Sequence, residues 1–568
     1  MDSSCGMNDP NAQFLDPVHG VLHYFYQKHI AAPPANPDQH GVATWGHFVS
    51  RDGVHWAALP VAVWNGLQVL ENSTLAPTAY DTQSIYTGSA TLVSGLAPDG
   101  LSPGVLAIFP GLCRRQDFAA CHHGTLLAAA VPTDYASDPL LTRWSKPAYN
   151  PIVMDTPTVP VGRDPSTAWV TDSGEFRFRT FDGVVFSAES AQDVREGRWK
   201  RLGLNPSFPV GECPSVYPLP ASTPGFEMAY ATLQARSALP THVFKYGVGP
   251  GSRSWRNLSR PGDGVIIGSY PIAAAPKNTL VNVSATPGFA SLFIRGQMVD
   301  SGKFYASKDT LLPPLTPGGS PRRVNFGWAQ HVGVDGSGPQ TLPREVTFNA
   351  ALGQLQWFPP AEVEQLRSAV LVNRSDVAMR RGQVMDLALP SRSGARSEVL
   401  LTFALPPPSV LESSALGGRI SLLVMAGDNK GTNATEVYVS FNATSLRAGN
   451  RAVVVGVVPA QGRVNTSVVP DTSPIETELR LVAGEDQLEV RVFVDEFIGE
   501  AYFQRGREVI TFDTPPTTHA GVRLASATDL PDLRVTAWSM SSIWVTPEQV
   551  LATPRLQPPI AASHVVLK

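Results

Sequence analysis

Short apolar runs alternate with turn residues along almost the whole chain. The runs "LHYFYQ" (22–27), "GSATLV" (88–93), "EFRFRTF" (175–181), "FEMAYATL" (226–233) and "SLFIRG" (291–296) all read as strands. The 3.6-residue rhythm of an amphipathic helix is almost absent. Its clearest trace is "PPAEVEQLR" (359–367), which predicts one short helix after a proline start. The 51 prolines and 48 glycines are spread along the sequence, as an all-β chain with many turns requires. Before residue 346 the strand groups recur at the scale of a propeller blade, without a clean repeat. After residue 366 come longer paired strands, "RISLLVMAGDNKGTNATEVYVSF" and "ELRLVAGEDQLEVRVFVDEF", each with turn residues in the middle. Both predict hairpins in a two-sheet sandwich. The expected division is therefore 1–345, a linker with a short helix at 346–366, and a sandwich at 367–568. The tail from about residue 549 is expected to pack loosely.

Composition narrows the function classes. The net charge is −4 and no long basic run occurs, which argues against nucleic acid as a partner. No apolar stretch reaches the length of a membrane span. No leader segment is visible, since polar residues begin at Asp2. Four cysteines are too few for a disulfide scaffold; Cys113 and Cys121 are spaced to close a small loop, as a disulfide or as free thiols. Seven sequons start at Asn72, Asn257, Asn282, Asn373, Asn433, Asn442 and Asn465. They point to a secretory route, with a glycosylated protein that is secreted, in the cell wall or vacuolar.

Three short motifs place an acid ahead of a turn residue and a strand-like run: "MNDPNA" with Asp9, "GRDPSTAW" with Asp164 and "GECP" with Glu212. Any one such acid is more often part of a capped turn. Together they could converge in one pocket. There, one carboxylate can stay ionised and attack while another is kept protonated and donates.

The motifs, in this order, resemble those of glycoside hydrolase family 32, the invertase and fructan-hydrolase family. "WGHFVSRDGVHW", "YTGSATL", "DSGKFYASK", "RRVNFGW", "QTLPREV" and "VFVDEFIGEAYFQRGREVITF" extend the likeness from Met7 to about residue 512. The resemblance implies a five-bladed β-propeller followed by a β-sandwich. It implies a retaining hydrolase that releases terminal non-reducing β-D-fructofuranosyl units from sucrose or fructans, with no metal or cofactor. Asp9 is then the nucleophile, Glu212 the acid/base and Asp164 the stabiliser of the fructosyl unit, the carboxyls of the retaining pair lying about 5–5.5 Å apart. Asn8, Gln27, Trp45, Tyr86, Thr87 and Arg163 are implied to bind substrate.

Departures from the pattern set further expectations. Gly6 and Gly211 stand where the family has tryptophan or another bulky residue, and Tyr86 replaces a tryptophan. The pocket wall is thus expected to lose aromatic area. Ser259 and Pro261 align where sucrose-cleaving members carry an acid and a lysine, which favours fructans over sucrose. Only six residues precede the first motif, so the first blade is expected to lack an edge strand. Trp45 fits the core as well as the pocket. The six histidines between His19 and His55 match no zinc spacing. "CHH" at 121–123 could bind metal with Cys113, although a disulfide suits a secreted chain better. Asp495 and Glu500 read as structural acids at the domain face. Fructosyl transfer and a catalytically impaired carbohydrate-binding relative remain the competing functions.

Overall fold

The computed structural model describes residues 5–30, 42–70, 72, 74–96, 103–220, 223–226, 241–249, 262–271, 275–286, 293, 296–315, 319–330, 338–390, 392–412, 417–427, 434–447, 449, 451–460, 474–514 and 520–556. "FEMAYATL" beyond Phe226 and most of "SLFIRG" lie outside the described residues, as do Ser259 and Pro261.

Five antiparallel sheets follow one another in chain order. The first runs Cys5–Asp16, Val21–Ile30, Val42–Ser50, Trp56–Val63, with all four strands present. The expected missing edge strand is therefore not missing: Cys5–Asp16 pairs along its length with Val21–Ile30. The later sheets begin with the strands Ser84–Ile85, Trp169–Val170, Ser215–Pro218 and Phe304–Leu312, and Ser89–Val93 pairs into the second sheet as well.

Neighbouring sheets share apolar cores in cyclic order. Phe25 and Trp45 of the first sheet pack with Val105 and Phe109 of the second. Leu106 and Ile108, on the opposite face of that same strand, pack with Phe178 and Phe186 of the third. Val185 of the third sheet meets Phe244 and Ile266 of the fourth. Val243 and Ile267 of the fourth meet Phe348 and Trp357 of the fifth. Leu22 and Tyr24 of the first sheet meet Val324 and Phe326 of the fifth, which closes the ring. Where both faces of a strand are buried, as in Gly104–Leu112, the sequence reads as a continuous apolar run instead of clean alternation. The result is a five-bladed propeller.

Two six-stranded sheets follow, in the orders Arg367–Met379, Leu530–Met540, Arg396–Ala404, Gln487–Asp495, Ile498–Phe503, Glu508–Asp513 and Val384–Asp386, Gly521–Ser526, Gly418–Ala426, Thr435–Phe441, Ala452–Val458, Ile475–Arg480. They enclose one large core in a sandwich.

Three expectations need correction. The strands Arg344–Asn349 and Gln354–Phe358 complete the fifth sheet, so residues 346–358 are sheet and not linker. The short helix follows as a 3-10 turn at Ala361–Leu366. The first expected hairpin forms, Gly418–Ala426 against Thr435–Phe441. The second does not: Ile475–Arg480 and Gln487–Asp495 lie in opposite sheets. Their inward residues, Leu479 and Val490 among them, face the same core from its two sides. Alternation with a central turn fits an arch between sheets as well as a hairpin, so the pattern was ambiguous. The described part of the tail, to residue 556, is packed against the first blade, and residues 557–568 lie outside the described residues. Trp56 N–H bonds the Ile543 carbonyl at 2.7 Å, and Val550 in the helix Pro547–Ala552 is buried among Val21, Val49 and Ala57.

Candidate active site

The three acids flagged in sequence come from the first, third and fourth blades and meet around one residue, Cys213. Asp9 sits in a β-bulge of the first strand, where the register against Val21–Ile30 slips on either side of Pro10. Asp164 and Cys213 both have positive φ, 54° and 49°. Non-glycine residues are rare there, and the strain is held by the surrounding contacts. Cys213 N–H donates to Asp164 Oδ2 at 3.1 Å, while its thiol lies 3.6 Å from Asp9 Oδ2 and 4.0 Å from Asp164 Oδ2. Glu212 is the preceding residue, so one short turn carries the third acid and spaces the other two.

Each acid has distinct partners. Thr87 Oγ1 donates to Asp9 Oδ2 at 2.7 Å, and Gln27 Nε2 reaches the same oxygen at 3.4 Å. Glu212 is bonded by Tyr305 Oη at 2.6 Å and by the Arg163 guanidinium, which also stacks on Phe181 at 4.4 Å. Arg163 Nε lies 4.0 Å from Asp164. Asn8 is fixed by His29 Nε2 at 2.9 Å on its side-chain oxygen and by Gln340 Nε2 at 2.6 Å on its carbonyl. Tyr86 is half-buried beside Thr87. Trp45 is not at the cavity surface: it is 1% exposed in the core, and its indole N–H holds the Tyr86 carbonyl at 3.0 Å. It supports Tyr86 from behind.

Two buried lysines underlie the acids. Lys245 donates to the Cys213 carbonyl and lies 3.6 Å from Asp263. Lys308 donates to Ser89 Oγ at 3.2 Å, and that hydroxyl donates to the Pro165 carbonyl at 2.6 Å. Tyr305, Lys308 and Ser89 stood in recognised motifs without a role; Lys245 carried no signal that distinguishes it from core polar residues. Glycine at 211 is required here, because a Cβ would lie 2.0 Å from the Gly247 carbonyl oxygen. The missing tryptophan is thus built into the backbone path.

The electrostatics separate the acids. Burial, aided by the Asp164 and Glu212 charges and opposed by the Thr87 hydrogen bond, pushes Asp9 up to about 7. Burial pushes Asp164 up to about 6, against the pull of the Cys213 amide, Arg163 and Lys308. Glu212 is also penalised by burial, but the Tyr305 and Arg163 hydrogen bonds outweigh it and hold the carboxyl below its ordinary value. The three titrate as a coupled group.

The described histidines between His19 and His55 have internal partners, and His40 lies outside the described residues. His23 and His47 bond each other at 3.0 Å in the core, and His55 bonds Asp52 at 2.8 Å. Cys113 and Cys121 form a disulfide, which removes the metal alternative for "CHH". Among the described residues no cluster has metal-ligand geometry, and no helix is long and apolar enough to cross a membrane.

Carboxylates brought together from separate blades are the groups that glycoside cleavage uses. Residues 3–359 match the family described as "Glycosyl hydrolases family 32 N-terminal domain". The chain belongs to glycosyl hydrolase family 32 and is a glycosidase. It is 27% identical to "Acid beta-fructofuranosidase 2, vacuolar" of Rosa hybrid cultivar, over 98% of this chain and 81% of the relative. It is 30% identical to "Fructan 6-exohydrolase" of Triticum aestivum, over 74% and 69% of the two chains. The crystal structure of fructan 1-exohydrolase IIa from Cichorium intybus superposes with a TM-score of 0.68 at 22% identity, over 95% of this chain and 96% of that one.

Proposed function

We propose that this protein hydrolyses terminal non-reducing β-D-fructofuranosyl units from sucrose or fructans, with retention at the anomeric carbon. The observation that carries the reading is the convergence of Asp9, Asp164 and Glu212 around Cys213, in a chain whose relatives are named for fructosyl hydrolysis.

Asp9 attacks the anomeric carbon and forms a fructosyl ester while the bond to the leaving oxygen breaks. Glu212 gives its proton to that oxygen, then takes one from the water that cleaves the ester. Asp164 holds fructose hydroxyls and stabilises the oxocarbenium-like charge. Asn8, Gln27, Tyr86 and Thr87 form the fructose subsite, and Arg163 sets the position of Glu212.

The proton count suits this chemistry, although its resting distribution is reversed. Between the low value of Glu212 and the value near 7 of Asp9, the pair shares one proton. The site favours it on Asp9, whereas attack needs it on Glu212. Positive charge growing at the anomeric carbon lowers the proton affinity of Asp9, so the productive arrangement is stabilised as the reaction proceeds.

We take the propeller as ending at Phe358 and the sandwich as starting at Arg367. A secretory route, to the vacuole or cell wall, fits the disulfide and the exposure of all four described sequon asparagines, Asn72, Asn282, Asn373 and Asn442. Asp9→Asn and Glu212→Gln are each expected to lower fructose release by several orders of magnitude; a near-normal rate in either variant would contradict the assignment.

A further inference from the structure

Three stretches singled out in sequence, "DSGKFYASK", "QTLPREV" and "VFVDEFIGEAYFQRGREVITF", meet in one buried cluster between propeller and sandwich. Arg344 and Asp300, fully buried, are 2.9 Å apart; Arg344 also bonds Glu500 at 2.7 Å and Thr511 Oγ1 at 2.8 Å. Asp300 accepts from Thr511 N–H at 3.0 Å, Thr511 Oγ1 at 2.6 Å and Gly302 N–H at 2.6 Å. The turn before the strand Phe304–Leu312 is thereby attached to the sandwich strand Glu508–Asp513. Ser301 N–H bonds the Val509 carbonyl at 2.9 Å, and Lys303 N–H bonds the Thr511 carbonyl at 2.8 Å. The contact is close: a Cβ on Gly302 would lie 2.0 Å from the Thr511 carbonyl oxygen and 2.7 Å from its nitrogen.

What this turn leads into is the support of the active site. Two residues beyond Lys303, Tyr305 donates to Glu212 at 2.6 Å. The strand then bulges at Ala306, φ 56°, between Tyr305 and Lys308. The bulge turns Ser307 N–H onto Asp263 at 2.7 Å and Lys308 onto Ser89. A bulge re-aims side chains, and its place along the strand depends on where the strand starts.

We propose that the sandwich strand Glu508–Asp513 is a latch that sets the reach of Tyr305 to Glu212, which makes Gly302 and Thr511 positioning residues for the propeller's acid. The inference rests on the reading of Glu212 as acid/base. The two units then act as one catalytic assembly, with the sandwich fixing an active-site hydroxyl it never touches.

The test is the pH dependence of kcat/KM for fructose release by the full chain. Removing the Tyr305 hydroxyl with Tyr305→Phe takes away a bond that favours ionised Glu212, so the acidic limb moves to higher pH, by about half to one pH unit for a half-exposed carboxylate. Gly302→Ala pushes the turn off Thr511 and is expected to move the same limb in the same direction. The double variant is expected to move it no further than Tyr305→Phe alone. Thr511→Val, which keeps the backbone bonds and loses the hydroxyl, gives a smaller shift if Gly302→Ala fails to fold. Val455→Ala, a truncation deep in the sandwich core, lowers Tm and leaves the limb in place. The latch is overturned if Tyr305→Phe moves the limb while Gly302→Ala and Thr511→Val lower only Tm. If Tyr305→Phe itself leaves the limb unmoved, the reading of Glu212 fails and the latch fails with it.

Discussion

At the scale of single residues the site is a problem of keeping three like charges together. Three carboxylates around one cysteine repel one another, and the fold answers with different partners for each. Asp9 has a neutral hydroxyl and an amide; Glu212 has a phenol and a guanidinium; Asp164 has a backbone amide and more distant cations. The Thr87 hydroxyl is one of the bonds that holds Asp9 from rising further above about 7. Thr87→Val removes a donor to the charged form, so the proton is held more tightly and the alkaline limb of kcat/KM moves to higher pH. An unmoved limb would mean that Thr87 does not tune Asp9. The acids themselves were legible in sequence because their motifs occur in order. Cys213 and Ser89 stood in those motifs without a role and Lys245 outside them, since their roles depend on backbone atoms from other blades and a strained φ that no local pattern encodes.

At the scale of elements, strand type was legible and strand partnership less so. Runs such as Gly104–Leu112 announce themselves by being apolar on both faces, because each face joins a different inter-blade core. The segment 478–497 shows the limit: a turn between two alternating runs does not say whether the chain folds back in one sheet or crosses to the other. The C-terminal segment shows it from the other side. Its proline-rich composition predicts looseness, yet its described part is anchored to the first blade by buried Val550 and by the Leu551 carbonyl, which accepts from Arg51. The loop between Gly104–Leu112 and Thr125–Pro132 is held by its disulfide and by Asp155, which accepts from the His122 and His123 amides. Cys113→Ser with Cys121→Ser is expected to cost about 2–3 kcal/mol by loop closure for so short a ring. Thermal unfolding measures this, and an unchanged Tm would show that Asp155 and the strand ends hold the loop unaided.

At the scale of the whole molecule, the two units share more than a linker. Phe493, Tyr502 and Val509 of the sandwich complete the core between the fourth and fifth blades. Arg344 ties the fifth blade to Asp300, Glu500 and Thr511, and its guanidinium lies 4.2 Å from the Phe304 ring centroid. Replacing it by methionine leaves two buried carboxylates without their cation, a loss of about 3–5 kcal/mol. Chemical denaturation is expected to show it as an earlier transition of both units together; two separated transitions with an unshifted sandwich would contradict a shared core. The position of this interface was legible only as motif likeness. Its residues are charged, and from sequence alone buried charges look like surface ones.

The three-acid site is proposed to release fructose. The most direct measurement is free fructose after incubating the full chain, and its Asp9→Asn variant, with sucrose, 1-kestose, inulin and levan. Fructose is expected from at least one of these substrates with the unaltered chain and essentially none with the variant. Fructose from neither protein would contradict it, and so would equal release by both; glucose accompanied by a trisaccharide from sucrose would identify transfer in place of hydrolysis.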